Sequence, residues 1–147
     1  MRVIIVPSPE QMGKEAGAIV AAGMASKPRF VLGLATGSTP IPLYQDLIRR
    51  HGEEGLDFST TTAFNLDEYV GLEPTHPQSY RFFMQSELLD RINIDEHNFH
   101  IPDGMTDDVD AHCLAYEALI RNVGGIDLQI LSIGRNGRLG FNEPGSP

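Results

Sequence analysis

The sequence predicts an α/β fold in which a doubly wound, mostly parallel β-sheet is covered by helices. Short apolar runs with strand character alternate along the chain with longer segments whose apolar residues recur at helical spacing. Polar loops that contain glycine directly follow several of the apolar runs. Alternation of this kind is typical of β–α units, whose strands pair in parallel beneath the helices. The expected arrangement is therefore Rossmann-like.

The first β–α unit begins at the N-terminus. Residues 2–6 predict a strand. Ser8, Pro9 and Gln11 then supply an N-cap, a first-turn proline and a capping-box partner for the following helix. The apolar residues of this helix recur at helical spacing: Met12, Ala16, Ile19, Val20 and Met24.

A second unit follows the first. Residues 30–34 predict its strand, and Pro40 opens a helix that we expect Gly52 to close. The apolar face of that helix carries four residues: Ile41, Tyr44, Leu47 and Ile48. A tight polar loop over residues 35–39 connects the strand to the helix.

The remaining elements continue the alternation. They are, in order, a strand over 60–64, a helix over 79–89, a short strand over 97–101, a helix capped by Asp107 or Asp108, and a strand over 126–133. Phe82, Phe83, Leu88 and Leu89 are the apolar residues of the first of these helices, and Val109, Cys113, Tyr116 and Ile120 lie on one face of the second. Four side chains are expected to be core residues rather than ligand contacts: Tyr69, Phe82, Phe83 and Cys113.

Length and composition favour one domain over residues 1–147, because 147 residues with 41% hydrophobic content are enough to bury a core. The net charge of −9 argues against nucleic acid or an anionic membrane as a partner. The single cysteine excludes an intrachain disulfide and fits a reducing compartment. With no long apolar run and no signal-like N-terminus, we expect a cytoplasmic location.

Three polar loops fall at the expected carboxyl ends of strands, where ligands bind in such sheets. The first contains Thr36, Gly37, Ser38 and Thr39 before Pro40. A glycine, hydroxyl groups and a helix N-terminus together offer several oriented donors to a phosphate. The alternative is an ordinary helix cap, since Ser and Thr also occupy that position.

The second loop places Asp67 and Glu68 at the end of the third strand. Two neighbouring carboxylates can divide the work of proton transfer and positioning. Adjacent residues in extended backbone point in opposite directions, so we expect only one of the two to face the ligand. A solvated acidic turn is the alternative interpretation.

The third loop follows the last strand and is rich in glycine, with Asn136 and Glu143 as its candidate reactive side chains. Pro144 favours extended backbone at Glu143. Simple solvated turns would have the same composition. The five histidines are scattered and show no metal-ligand spacing, so no metal site is predicted.

These three loops resemble the glucosamine-6-phosphate deaminase (glucosamine/galactosamine-6-phosphate isomerase) family. The matching segments are LATGSTP at 34–40, FNLDEYVGL at 64–72, GRNG at 134–137 and GFNEP at 140–144. The related 6-phosphogluconolactonases are expected to share the fold but to differ after Asp-Glu and to lack Phe-Asn-Glu-Pro. The resemblance implies an enzyme of amino-sugar catabolism without a metal or organic cofactor.

By resemblance, the reaction converts glucosamine 6-phosphate and water to fructose 6-phosphate and ammonia. Asp67 is then the base that moves a proton between C2 and C1. Ser38 and Thr39, with the backbone of their loop, hold the phosphate. Asn136 and Glu143 belong to the group that opens the sugar ring.

Arg138 departs from the family pattern, because the resemblance implies a histidine after Asn-Gly. A guanidinium has no lone pair near neutral pH and cannot accept the ring proton. It also places a positive charge close to Glu143, with which it can form a salt bridge. We therefore expect catalysis to be impaired by roughly 10²–10⁴-fold, the usual contribution of a positioned acid–base group. A sugar-phosphate-binding module without catalysis, or a fragment that does not fold alone, are the alternatives.

Length is the second departure, since the family is substantially longer. We expect the chain to correspond to an N-terminal portion whose last strand, 126–133, has an unpaired edge. Either the reading frame continues or the chain pairs with a partner, which leaves homo-oligomerisation open.

Overall fold

A parallel four-stranded sheet forms the centre of the computed structural model, which describes residues 1–146. The strands are β1 Val31–Leu34, β2 Thr62–Asn65, β3 Phe99–His100 and β4 Leu128–Gln129, in the spatial order β3-β2-β1-β4. The helices are α1 Pro9–Ser26, α2 Ile41–Glu54, α3 Tyr80–Glu87 and α4 Val109–Asn122, with single 3₁₀ turns at Leu89–Arg91 and Glu96–Asn98. The predicted α/β class is confirmed.

The strand order gives the sheet a reversal point beside β1. The chain adds β2 and β3 on one side of β1 and then returns to place β4 on the other side. Asp127 fixes this return, because its carboxylate accepts a 2.8 Å hydrogen bond from the backbone N–H of Val31 and pairs with Lys27 at 2.7 Å. Loops at the carboxyl ends of β1 and β4 therefore diverge from a common crevice.

The core lies on the helix-covered faces of the sheet. All four residues of β1 are buried, as expected for a central strand that is covered on both faces. Tyr44 and Leu47 of α2 are fully buried, and Met84 of α3 joins them. None of the helices within residues 1–146 has the length and apolar character needed to cross a lipid bilayer.

The predicted helix starts are confirmed. Ser8 Oγ accepts a 3.2 Å hydrogen bond from the backbone N–H of Gln11, while the Gln11 side chain bonds Glu15 instead of completing a capping box. Asp108, one of the two candidates, caps α4 through the backbone N–H of Ala111. Ser79 caps α3 in the same way.

The predicted strand over residues 2–6 is wrong, since these residues have no regular structure. Val3 is 68% exposed and Ile5 93% exposed. A strand needs an adjacent strand to share backbone hydrogen bonds, and residues 2–6 pair with none of the four strands of the described sheet. The apolar pattern alone is therefore not enough to form a strand here.

Two predicted element ends also need correction. Gly52 does not close α2, which continues to Glu54 and ends at Gly55, whose φ of +73° only glycine adopts without strain. The predicted strand 126–133 keeps only Leu128–Gln129 in the ladder, and Ile133 instead forms an isolated bridge with Leu139. The glycine-rich loop folds back on the strand and shortens it.

Three side chains predicted to be core residues are exposed. Cys113 lies on the outer face of α4, a helix without a fully buried residue. Phe82 is 43% exposed and Tyr69 is 42% exposed. Periodicity places residues on one helix face, but it does not determine whether another element covers that face.

Two glycines allow α1 to approach α2 closely. A Cβ at Gly13 would overlap the carbonyl group of Pro42, and a Cβ at Gly17 would overlap the Asp46 carboxylate. Asp46 is buried and pairs with Arg49 at 2.9 Å and with Arg50 at 2.6 Å. The small residues of α1 therefore make room for this buried ion pair.

Replacement of Gly13 by alanine should destabilise the fold by about 1–3 kcal/mol, the usual cost of overpacking against backbone. The matched control is Gly52→Ala, because Gly52 is helical and has open space around its Cα. That change should stabilise by about 0.5–1 kcal/mol through helix propensity. Urea unfolding measures both, and equal effects of the two substitutions would contradict the close-approach interpretation.

Candidate active site

A cavity of about 340 Å³ opens where the carboxyl ends of β1, β2 and β4 meet. It is lined by residues of all three predicted loops, including Thr36, Gly37, Ser38 and Thr39, then Asp67, and then Arg138. Asn136 and Glu143 do not line the cavity, although both contact Arg138 in the third loop. Parallel pairing of the strands brings these distant segments to one edge of the sheet.

The hydroxyl groups of Ser38 and Thr39 in the first loop do not cap the helix that follows. Pro40, not Ser38 or Thr39, is the N-cap residue of α2, and no side-chain hydrogen bond caps that helix. Ser38 and Thr39 are exposed at the cavity, and Gly37 has a φ of +99° that suits glycine. The ordinary helix-cap alternative is therefore wrong.

Tyr44 forms hydrogen bonds with the backbone at the start of this loop. Its buried hydroxyl donates a hydrogen bond to the carbonyl of Ala35 and accepts one from the Ala35 backbone N–H at 3.3 Å. Burial raises the pKa of Tyr44, so the hydroxyl stays protonated and keeps both contacts. The loop that follows β1 thus begins from a fixed point.

Asp67 is the half-buried carboxylate of the cavity. Burial raises the pKa of Asp67 and the nearby charge of Glu68 adds to this, while the backbone N–H of Phe141 and the charge of Arg138 act in the opposite direction. The net shift is upward. From the strand side, Asn65 Nδ2 donates a 3.0 Å hydrogen bond to the carbonyl of Asp67.

Glu68 points away from the cavity and serves a structural purpose. Its carboxylate accepts hydrogen bonds of 2.9 Å from the backbone N–H groups of Tyr80 and Arg81 in the first turn of α3. A carboxylate at this position satisfies unpaired helix donors and complements the helix dipole. Of the two adjacent carboxylates, only Asp67 lines the cavity.

The third loop joins its polar residues into a chain. Asn136 Nδ2 donates to Glu143 Oε2 at 2.6 Å, and Asn136 Oδ1 accepts from the backbone N–H of Arg138 at 3.1 Å. Arg138 Nη1 lies 3.8 Å from Glu143 Oε1, so the expected contact between these two charges is present. Both side chains are about half exposed, so solvent weakens their attraction.

Tyr80 is a cavity residue that the sequence did not reveal. It stands at the first position of α3, and burial followed by a hydrogen bond with Tyr69 raises its pKa to about 12. Twelve residues lie between it and Asp67, and the helical pattern of 79–89 suggested no ligand contact. Glu68 brings it to the cavity by capping α3, a contact that no sequence pattern indicated.

The substitution Asp67→Asn should stabilise the chain near neutral pH. A carboxyl whose pKa is raised by folding favours its protonated form, so the stability it contributes at low pH is lost as the pH rises through the folded-state pKa. Thermal melts of Asp67→Asn and wild type should coincide at about pH 3 and diverge towards pH 7, with the variant more stable.

Asp46→Asn is the control with the opposite sign. Burial raises the pKa of Asp46, but hydrogen bonds and charge from Arg50 and Arg49 outweigh it and lower the pKa overall. Asp46 therefore contributes stability above its ordinary pKa that is lost as the pH falls. This variant should melt below wild type at neutral pH. Two variants with the same pH trend would contradict the assigned environments.

Comparison with known proteins places this site in a family. The sequence model described as glucosamine-6-phosphate isomerases/6-phosphogluconolactonase matches residues 9–139. The chain is 56% identical over 146 residues to the glucosamine-6-phosphate deaminase of Arthrobacter sp. strain FB24, covering 99% of this chain and 56% of that protein. It is 53% identical over 144 residues to the Lachnoclostridium phytofermentans enzyme of that name, covering 98% of this chain and 61% of that protein.

Solved structures agree with the sequence comparison. A monomeric glucosamine-6-phosphate deaminase superposes with a TM-score of 0.97 at 44% identity, covering 100% of this chain and 61% of that one. A 6-phosphogluconolactonase from Thermotoga maritima superposes with a TM-score of 0.77 at 20% identity, covering 95% of this chain and 62% of that one. This second similarity shows only that the two proteins have the same fold. The chain thus spans about three fifths of the length of these relatives. It belongs to the glucosamine-6-phosphate isomerase/6-phosphogluconolactonase family.

Proposed function

We propose that the chain carries the substrate-phosphate loop and the catalytic base of a glucosamine-6-phosphate deaminase. The reaction converts glucosamine 6-phosphate and water to fructose 6-phosphate and ammonia. The observation that carries this proposal is a single cavity that joins the hydroxyls of Ser38 and Thr39 to the half-buried carboxylate of Asp67. High identity to relatives named for this activity supports it.

The phosphate binds at the loop after β1 in this proposal. Ser38 and Thr39 donate their hydroxyl hydrogens, and the loop backbone around Gly37 offers further N–H groups. The N-terminus of α2 adds a favourable dipole. Tyr44 fixes the loop at Ala35, so these donors are oriented before the ligand arrives.

Asp67 then transfers the proton of the isomerisation. Its carboxylate takes the proton from C2 of the open-chain sugar and returns it to C1, while the amine nitrogen gives up a proton and O1 gains one, which leaves a hydroxyl at C1 and an imine at C2. Water hydrolyses the imine and the amine departs as ammonia. An upward-shifted pKa makes Asp67 a stronger base than an ordinary carboxylate once it is ionised. Asn65 keeps its backbone in place.

Ring opening is assigned to the third loop. Asn136 orients Glu143 through the 2.6 Å hydrogen bond, and Glu143 faces the guanidinium of Arg138. A guanidinium has no lone pair available to accept a proton near neutral pH, so Arg138 is not the acceptor that ring opening needs. Turnover then depends on substrate that opens spontaneously, and the activity is impaired.

Arg138→His should increase ammonia release from glucosamine 6-phosphate by roughly 10²–10⁴-fold, the contribution of a positioned acid–base group. The matched control is Arg121→His, an exposed position on α4 that should change nothing. Asp67→Asn in the Arg138→His background should abolish the gain. An ammonia assay coupled to fructose 6-phosphate detection measures all variants. Unchanged turnover in Arg138→His would show that Arg138 is not the limiting defect.

A sugar-phosphate-binding module without catalysis is the second candidate function. The observation that favours it is the intact first loop beside a cation at the position of the ring-opening base. Such a module binds glucosamine 6-phosphate saturably and releases no ammonia.

Calorimetric titration of the Ser38→Ala variant with glucosamine 6-phosphate tests the phosphate site that both candidates share. Ser38→Ala should weaken glucosamine 6-phosphate binding about tenfold or more, because a hydrogen bond to a charged group contributes about 1.5–3 kcal/mol. Ser59→Ala, at an exposed position outside the cavity, is the control. Equal affinities of Ser38→Ala and wild type would remove this loop from the phosphate site and leave neither candidate supported.

A further inference from the structure

Three aromatic rings from three separate segments meet beside Asp67. Tyr69 follows β2, Tyr80 opens α3, and Phe141 belongs to the third loop. Tyr69 has its ring centroid 4.8 Å from that of Tyr80 and 4.9 Å from that of Phe141. Phe141 stacks on Tyr80 at 5.5 Å with an interplanar angle of 18°. We call these residues the aromatic cluster.

Core formation does not explain the aromatic cluster. Phe141 is 40% exposed and Tyr69 is 42% exposed, and none of the three rings belongs to the buried core. Ring separations of this size are those of favourable aromatic pairs. The contact therefore attaches the third loop to the segment that carries Asp67.

The part of the third loop held by the aromatic cluster is the tip of a tight turn. Leu139 and Asn142 exchange backbone hydrogen bonds of 3.2 and 2.9 Å, so Gly140 and Phe141 are the two central residues. Gly140 has a φ of +58°. A Cβ at Gly140 would lie 3.0 Å from Asp67 Oδ2 and 2.9 Å from Leu66. The turn backbone thus lies directly on the Asp67 carboxylate, and the backbone N–H of Phe141 interacts with it.

We propose that Phe141 is a positioning residue, whose ring, packed against Tyr69 and Tyr80, holds the Gly140–Phe141 backbone against the carboxylate of Asp67. The proposal rests on the function proposed above, in which Asp67 is the base. The Phe141 side chain points to the aromatic cluster, while the backbone of the same turn lies against the carboxylate. Glu143 follows two residues later, so the same anchor fixes the ring-opening group relative to the base.

If the Phe141 ring holds the turn in place, removal of the ring should also remove the contact between the Phe141 backbone N–H and the Asp67 carboxylate. An amide hydrogen bonded to a carboxylate changes its chemical shift when that carboxylate ionises. In wild type, the amide of Phe141 should therefore titrate together with Asp67 in a pH series of ¹H–¹⁵N spectra. Asp67→Asn should remove that titration, which identifies its source.

Phe141→Ala should abolish the titration at amide 141, whereas Phe141→Tyr, which keeps the ring, should retain it. Phe82→Ala is the matched control, because Phe82 is an equally exposed phenyl ring, at 43%, outside the aromatic cluster. Gly140→Ala disturbs the turn without removing a ring and should also abolish it. A titrating amide in Phe141→Ala, or no titration in wild type, would overturn the proposal.

Turnover gives a second measurement. In the Arg138→His background, Phe141→Ala should lower kcat about 10²-fold with little change in KM, as expected when a catalytic group is misplaced by about 1 Å. A change in KM alone would assign Phe141 to substrate binding and overturn the positioning role. The amide titration uses no substrate, so absent ammonia release counts against the proposed function alone.

Discussion

Parallel pairing of β1 with β2 on one side and with β4 on the other is the constraint on which the rest of the structure depends. It buries β1 completely, and it directs the loops after all three strands to the same edge. Asp127 secures the less extensive of the two pairings by binding the backbone of Val31 and the side chain of Lys27. Without this arrangement, Ser38, Asp67 and Arg138 would not share a cavity.

The second loop shows how one dipeptide serves two purposes. Glu68 turns outward and caps α3, which brings Tyr80 to the cavity and into contact with Tyr69. Asp67 turns inward and loses part of its hydration, which raises its pKa. The burial of Asp67 is destabilising, whereas the helix-capping contacts of Glu68 are stabilising. The two carboxylates have these different surroundings because adjacent side chains point in opposite directions.

The third loop combines a hydrogen-bonded polar pair with a permanent positive charge. Asn136 and Glu143 are hydrogen-bonded as a pair, while Arg138 adds a permanent cation beside Glu143. At 3.8 Å and half exposed, this ion pair contributes little to stability. Its consequence is chemical, because a guanidinium stabilises negative charge but does not accept a proton. Position 138 therefore determines whether the cavity catalyses turnover or only binds its ligand in the proposed function.

The sequence by itself determined the α/β class, the order of the elements after residue 30, the helix cap at Ser8, the choice of Asp107 or Asp108 as the cap of α4, and the three loops of the site. Those features depend on local periodicity and on short-range hydrogen bonds, which neighbouring residues specify. Only the tertiary structure decided that residues 2–6 stay unpaired, that Cys113 is exposed, and that Glu68 and Tyr80 meet. Each of these depends on whether a segment distant in sequence supplies a pairing edge, a covering face or a helix donor. Local pattern carries no information about such a contact, because it is formed only when the sheet brings the segments together.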